Sequence, residues 1–273
     1  MWPFDMFWGQ KNIVSISLNP QYFTCCWLNN GDSGKKTGSK KIIINAYEKT
    51  EFKSLEFENA IIFNPTKISF VINNFIKKNK IKKPLITIAI NGPSVFEKVI
   101  TLSTSNPTEQ DFELENIFND IINRTGNLNT NNLNNKIFTN KNNIKFNYTY
   151  LCPAISEGLN IGFNFYICGI SQAQLFQYKL LTLKTGGNLT LVTTELAALI
   201  ELYKYTKDQN FSQSQLAIDL SKNSYNIKAL FSPEIISKIS ILKNNLNINL
   251  AHESQDLATS LGLFLLGDKI WKK

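Results

Sequence analysis

The sequence predicts an α/β protein in which each half of the chain builds a mixed sheet. Three observations carry this prediction. Alternating apolar residues mark three early strands, residues with helical spacing follow them, and a second series of strands and helices fills the later half. Strands that alternate with amphipathic helices are typical of α/β folds. The chain has 273 residues, of which 43% are apolar and 18% charged, so it is long enough for two cores.

The first part of the chain reads as three strands, a helix and a strand. Residues 12–18 alternate apolar and polar side chains, as a half-buried strand does. The helix starts at Asn64-Pro65, since asparagine caps a helix and proline suits its first position. The last strand stops at Asn91-Gly92. The predicted elements are strands at 12–18, 22–28 and 41–48, a helix at 64–79 and a strand at 85–90.

The middle of the chain adds a strand at about 95–102 and a second capped helix that starts at Asn106-Pro107. Acidic residues in its early turns complement the helix dipole. Residues 123–147 are dominated by asparagine, and we interpret them as a loop of low complexity. The apolar stripe of the helix consists of Phe112, Leu114, Ile117, Phe118, Ile121 and Ile122.

The later part begins with a strand at 161–168 and a helix at 171–184. Ser171 is the expected cap of this helix, and Gly186-Gly187 ends it. The remaining predicted elements are strands at 189–192, 215–220, 225–231 and 236–241, and helices at 194–205 and about 253–266.

Composition limits the classes of function. The formal net charge of +8 favours an anionic partner, which leaves nucleic acid, an anionic membrane surface and an acidic protein open. The densest group of lysines lies in residues 77–83. The sequence contains no run of about 18 apolar residues, so no membrane span is predicted. The first residues do not resemble a signal peptide. They carry Trp2, Phe4, Phe7 and Trp8, which would pack on the protein itself, contact a partner or contact a membrane surface.

Catalytic and metal-binding patterns are weak throughout. His252 is the single histidine, and the four cysteines have no metal-binding or redox spacing. The glycines of residues 31–37 are too closely spaced for a phosphate-binding P-loop. Glu113 and Glu115 lie in early turns of a helix, where solvated charge is the simpler interpretation. We therefore predict no catalytic residue and no metal site.

Four segments together resemble a known family. Residues 85–102 look like a strand that ends at a Gly-Ser turn and is followed by a second strand, and Glu195-Leu-Ala-Ala-Leu199 resembles the helix before a second phosphate loop. Leu216–Leu220 is similar to the strand that carries that loop's aspartate, and Ser260–Gly267 to a closing Gly-Leu-Ala-Leu helix. The chain thus resembles the type IV pilus assembly protein PilM, including its short HofM-like forms, in the actin-like ATPase superfamily.

The resemblance implies a fold of two ribonuclease-H-like lobes. The first lobe is expected at residues 1–92 and is completed by a helix at 251–273. An inserted subdomain with the Asn-rich loop is expected at 93–160, and the second lobe at 161–250. The family's insertion in the second lobe is missing, because only Leu242–Ala251 lie at its place.

The nucleotide loops depart from the family pattern. Ser17 stands where the first loop has aspartate, Asn19 where it has glycine, and Thr24 where it has lysine. Asp219 keeps the carboxylate of the second loop but lacks the glycines around it. Glycines allow main-chain N–H groups to approach phosphates, and magnesium needs oxygen ligands in octahedral geometry. We therefore expect a pseudo-ATPase without a cofactor, in which Ser17 and Asp219 mark inactive positions.

The resemblance also implies a partner. In the family, a short peptide of the inner-membrane protein PilN lies between the first lobe and its insertion, where main-chain groups and apolar pockets suit a strand-like peptide. Here this place corresponds to Asn91, Gly92, Val95, Phe96 and Val99. The expected function is a cytoplasmic scaffold, peripheral to the inner membrane, of type IV pilus, competence or type II secretion machinery. An ATP-binding ATPase or phosphotransferase using magnesium, and a basic nucleic-acid-binding module, are the alternatives; no specific nucleic-acid partner is expected.

Overall fold

A six-stranded mixed sheet forms the centre of the molecule. Its first three strands are β1 (Ile13–Leu18), β2 (Tyr22–Asn30) and β3 (Ile42–Glu51), and they pair as an antiparallel meander. The computed structural model describes residues 12–19, 21–31, 41–52, 57–58, 61–91, 95–103, 106, 109, 112–120, 144–156, 159–208, 231–243, 246 and 248–272. A small hairpin of β4 (Phe57–Glu58) and β5 (Ile61–Ile62) follows the meander.

Two later strands extend the sheet beyond β1. Strand β6 (Leu85–Ile90) pairs in parallel with β1, and β10 (Asn188–Thr194) pairs in parallel with β6. At the other edge, the short β11 (Ser240–Leu242) pairs in parallel with β3. The strand order is therefore β10-β6-β1-β2-β3-β11.

Alternation along β1 directs side chains to two cores on opposite faces of this sheet. Val14 and Ile16 face α1 (Pro65–Lys78) and α3 (Gln172–Lys184), whereas Ile13 faces a core that includes residues of α4 (Glu195–Asp208), α5 (Pro233–Ile239) and α6 (Leu250–Lys272). Two of the caps predicted from sequence are present: Asn64 accepts a hydrogen bond from the Lys67 N–H, and Ser171 from the Gln174 N–H. Among the described residues, no helix is long and apolar enough to cross a bilayer.

A separate three-stranded sheet is inserted between β6 and α3. It consists of β7 (Phe96–Leu102), β8 (Ile144–Ser156) and β9 (Leu159–Ser171), in the order β7-β9-β8. Helical residues 112–120 (α2) pack on it, with Leu114 buried and the Phe118 ring stacked on the Phe146 ring at 4.1 Å. The subdomain therefore runs through the whole of β9, and the boundary expected at residue 160 falls inside a strand.

The later half of the chain departs from the expected second lobe at 161–250. Residues 161–171 belong to β9, and β10 completes the first sheet, because its main chain pairs with β6 over Asn188–Thr194. The strand expected at 236–241 is mostly helical: Ser232 caps α5 and Pro233 occupies its first turn. The strand expected at 215–220, and all but residue 231 of the one at 225–231, lie outside the described residues. Within the described residues, 161–250 do not form a sheet of their own.

Candidate functional site

Three polar residues meet where the parallel strands end. Asn19, Asn91 and Glu195 directly follow β1, β6 and β10. The Asn91 Nδ2 donates to Asn19 Oδ1 at 3.0 Å and to Glu195 Oε2 at 3.3 Å. In open α/β sheets, ligands bind outside the carboxyl ends of strands, so this position is the first place to look for a site.

Helix α6 covers this polar cluster from one side. The Thr259 hydroxyl donates to Glu195 Oε1 at 3.1 Å, so both carboxylate oxygens of Glu195 accept hydrogen bonds. Asp256 is 5% exposed, and its two oxygens accept from the Tyr22 hydroxyl at 2.9 Å and the Lys49 ammonium at 3.0 Å. The carboxylates of Glu195 and Asp256 therefore both have hydrogen-bond partners within the protein.

Burial and charge keep the neighbouring phenols protonated. Burial raises the pKa of Tyr22 well above its ordinary value, and the negative charge of Asp256 adds to this effect. Burial likewise raises the pKa of Tyr47, whose hydroxyl donates to Glu253 at 2.6 Å. In this cluster, the Asn19 Nδ2 is a buried side-chain atom without a hydrogen-bond partner.

A second feature lies between the six-stranded sheet and the inserted sheet. A largely apolar pocket of about 100 Å3 opens between them. The outer strand β10 contributes Val192, Thr193 and Thr194, and the outer strand β8 contributes Lys145 and Phe146. The rest of the lining consists of Ile90, Val95, Cys168, Gly169, Ile170 and Leu175.

A buried hydrogen-bond network connects the two sheets that form the walls of this groove. The Tyr166 hydroxyl of β9 contacts the Glu97 carboxylate of β7 and the Thr194 hydroxyl of β10, the latter at 2.6 Å. Thr194 also accepts from the Ala197 N–H at 3.1 Å, which caps α4. Burial, followed by the charge of Glu97, raises the pKa of Tyr166, so the phenol remains a donor. These contacts between the sheets, together with the residues that line the groove, therefore determine how far apart its two walls lie.

Of the residues that the sequence singled out for partner binding, some lie at the groove or the polar cluster and others do not. Val95 lines the groove, and Asn91 lies in the polar cluster. Phe96 packs edge-on against Phe146 in the core of the inserted sheet, and Val99 packs against the core shared with α4 and α6, so neither reaches the pocket. Gly92 lies outside the described residues.

Of the two degenerate nucleotide positions, Ser17 lies within the described residues. Ser17 is 2% exposed and pairs across the sheet with Thr24 and Ala89. The Ser17 side chain is buried, and within the described residues it does not line an open cleft. Asp219 lies outside the described residues, so its expected role is a prediction only.

Sequence reasoning missed most of the groove. Lys145, Leu175, Val192 and Thr193 line it, yet they come from a loop border, a helix and a strand that were assigned to different domains. A usable signal was present for Glu195, because it lies at the start of the helix predicted after a short strand, where polar residues often reach a site. The groove forms where two sheets pack together, and no local sequence pattern predicts that packing.

Other chemistry is sparse. No group of three or more His, Cys, Asp or Glu side chains suited to a metal occurs in the described residues. Cys25, Cys26 and Cys168 are buried free thiols, and burial raises the pKa of Cys168 to about 12, which disfavours the reactive thiolate. Glu113, considered above as half of an acid–base pair, accepts hydrogen bonds from the Ser103 N–H at 3.2 Å and hydroxyl at 2.6 Å.

Comparison with known proteins gives no match at the level of sequence. No protein-family model and no curated protein sequence matches the chain. Among solved structures, the chain is similar to one in a PilM-PilN type IV pilus biogenesis complex, at 9% identity and a TM-score of 0.59. That alignment covers 95% of this chain and 99% of the other.

Two further structures align more loosely. One is the cytoplasmic domain of EpsL, an inner-membrane component of the type II secretion system of Vibrio cholerae (7% identity, TM-score 0.36, 69% of this chain and 59% of that chain). The other is a protein of unknown function with an actin-like ATPase fold from Bacteroides thetaiotaomicron (11%, 0.31, 77% and 61%). At these TM-scores neither establishes a shared fold. The first alignment does, and the chain has the α/β fold of the protein in that pilus complex.

Proposed function

We propose that this chain is a non-catalytic scaffold of a type IV pilus or related competence or type II secretion assembly. In this role it binds an extended peptide of a PilN-like inner-membrane protein. The observation that carries the proposal is the apolar groove between β10 and β8, each of which is the outer strand of its sheet. The scaffold would act at the cytoplasmic face of the inner membrane. The structural likeness to a PilM-PilN complex supports this reading.

The groove suits a peptide better than a small molecule. Outer strands present main-chain groups that an added strand can use, while apolar pockets select alternate side chains. A volume of about 100 Å3 accommodates an apolar side chain. Small-molecule sites, by contrast, usually occupy about 300–1,000 Å³.

The polar cluster supports a role without nucleotide chemistry. The Asn91 amide and the carboxylate oxygens of Glu195 and Asp256 are engaged within the protein. ATP would have to break these bonds before it gained any. We therefore infer that this network replaces the nucleotide and joins β1, β6 and α4 to α6.

Peptide binding tests the scaffold directly. The full chain should bind a synthetic peptide of the cytoplasmic segment of the PilN-like protein, as measured by isothermal titration calorimetry. Leu175→Arg places a charge in the groove, and burying it without a partner should weaken binding at least tenfold, a change of about 1.4 kcal/mol. Leu180→Arg is the matched control, because Leu180 lies on the same helix but is 42% exposed on its outer face. Equal affinities of the two variants would contradict the proposed groove.

Absence of nucleotide binding is tested separately. Millimolar Mg-ATP should leave the thermal midpoint unchanged, whereas a ligand at 100 times its Kd would add about 2.7 kcal/mol of stability. The ATP-binding alternative predicts an upward shift of several degrees. A shift that disappears in Glu195→Gln would overturn the non-catalytic proposal and place the nucleotide in the polar cluster.

A further inference from the structure

A basic turn joins α1 to β6 at the end of the sheet where β1 and β6 begin. The turn closes α1 with two hydrogen bonds, Ile81 N–H to Ile76 O and Lys80 N–H to Lys77 O, each 3.0 Å. This is the Schellman arrangement, whose left-handed position is usually glycine. Here Lys80 occupies it with φ of 52°, and Lys83 follows with φ of 47°.

The lysines in this turn are not explained by packing. Lys80, Lys82 and Lys83 are exposed. Left-handed backbone is unfavourable for a residue that carries a side chain, so glycine or asparagine would make a more stable turn at Lys80. An exposed residue kept in an unfavourable conformation is a reason to look for a role in binding.

Two other segments meet the turn at this end. The Asn12 side chain donates to the Lys82 carbonyl at 2.9 Å, which fixes the start of β1 beside the turn. The Asn188 N–H donates to the Pro84 carbonyl at 3.0 Å, which brings the end of α3 with Lys184 to the same place. Residues 12–13, 77–85 and 183–188 contain six lysines and no acidic residue, and one of these lysines, Lys78, pairs with Glu48 of β3 at 3.4 Å. The surface built by these three segments, here called the basic end, is therefore strongly positive.

Apolar groups accompany the charge. Leu183, adjacent to Lys184, is 61% exposed. Leu180 and Phe176, which precede Leu183 by about one and two turns of α3, are 42% and 58% exposed. Trp2, Phe4, Phe7 and Trp8, which the sequence singled out, lie outside the described residues. Lysines beside phenylalanine and leucine are a combination found on surfaces that lie in a lipid headgroup layer.

We propose that the basic end docks on an anionic membrane surface. The lysines bind lipid headgroups, and the exposed Leu183, Leu180 and Phe176 side chains of α3 enter the interface. Charge complementarity selects an anionic partner, and these exposed apolar side chains favour a bilayer over a duplex, which offers no apolar layer. This contact is independent of the peptide groove, which is built from other residues.

Vesicle flotation of the full chain tests the proposal. The probes are vesicles of pure phosphatidylcholine and vesicles that also contain phosphatidylglycerol. The wild type should bind the anionic vesicles and be released from them at high salt. Each lysine near such a surface contributes about fivefold to binding, so Lys80→Gln/Lys82→Gln/Lys83→Gln should weaken binding about 100-fold.

Matched variants separate position from net charge. Lys98→Gln/Lys238→Gln/Lys243→Gln removes the same charge elsewhere and should change binding less than about fivefold. Lys80→Gly should bind about fivefold more weakly even though glycine relaxes the turn, which distinguishes lost binding from misfolding. Equal loss in both triple variants, equal binding to neutral vesicles, or no vesicle binding together with salt-sensitive binding to a DNA duplex would each overturn the proposal.

Discussion

At the residue scale, this protein buries neutral phenols and thiols in its cores. Tyr47 and Tyr166 each donate to a carboxylate, and burial raises the pKa of both phenols. Cys25 and Cys26 are fully buried on β2, where burial raises the pKa of each thiol. All of these groups hold their protons more tightly in the folded state than in the unfolded state.

Stability should therefore fall at alkaline pH. Ordinary thiols and phenols titrate near pH 9 and 10, and the folded pKa of Cys168 is about 12. The contribution of a raised pKa is complete below the unfolded value and is lost as pH rises toward the folded value, at about 1.4 kcal/mol per pH unit for each group. Urea unfolding under reducing conditions should give a constant midpoint up to about pH 8 and lower midpoints from pH 9 to 10.5.

The variant Tyr47→Phe tests whether buried phenols contribute to this loss of stability at alkaline pH. The variant has one titrating group fewer, so its midpoint should fall less steeply above pH 10 than that of the wild type. A wild-type midpoint that stays constant from about pH 8 to 10.5 would contradict the prediction.

At the element scale, the contact between α4 and α6 is unusually close. A Cβ on Gly262 would lie 2.0 Å from the Ala198 carbonyl oxygen, so the two helices approach along glycine and alanine. Both residues belong to segments that carried the family resemblance, residues 195–199 and 260–267. The structure thus gives these segments a shared packing role. Their contact also places Thr259 within reach of Glu195.

Gly262→Ala should destabilise the protein. The added methyl group meets main chain, which cannot rotate away, and overpacking of this kind costs about 1–3 kcal/mol against a gain of about 1 kcal/mol in helix propensity. Gly267→Ala in the same helix is the control. There the nearest atom is a side-chain methyl group, Thr87 Cγ2 at 2.8 Å, so the loss should be smaller. Thermal unfolding of both variants checks the order, and a more stable Gly262→Ala would show that the helices separate easily.

At the scale of the whole molecule, the proposed surfaces lie at opposite ends of the central sheet. The groove and the polar cluster lie where β6 and β10 end, at Ile90 and Thr194. The basic end lies where β1, β6 and β10 begin, near Asn12, Pro84 and Asn188. A protein docked through the basic end would keep its peptide groove away from the lipid surface. The vesicle and peptide experiments can therefore succeed or fail separately.

The sequence by itself determined the early elements and their caps. Alternation in residues 12–18 and the Asn64-Pro65 cap are local signals, and β1 and α1 form where they indicate. The strand expected at 236–241 was wrong for a local reason, the cap formed by Ser232 and Pro233, whereas the place of β10 has a non-local cause. Asn188–Thr194 joins the first sheet because its main chain pairs with β6, a strand far away in sequence, and a strand's own pattern does not name its neighbour.

The tertiary structure alone decided the candidate site. Val95 was singled out from sequence and lines the groove, but Lys145, Leu175 and Thr193 join it only when β8, α3 and β10 meet. Asn19, Asn91 and Glu195 likewise become one hydrogen-bonded cluster because three parallel strands end at the same edge. Periodicity and capping depend on neighbouring residues, whereas a groove or a polar network depends on which distant segments bury their surfaces together.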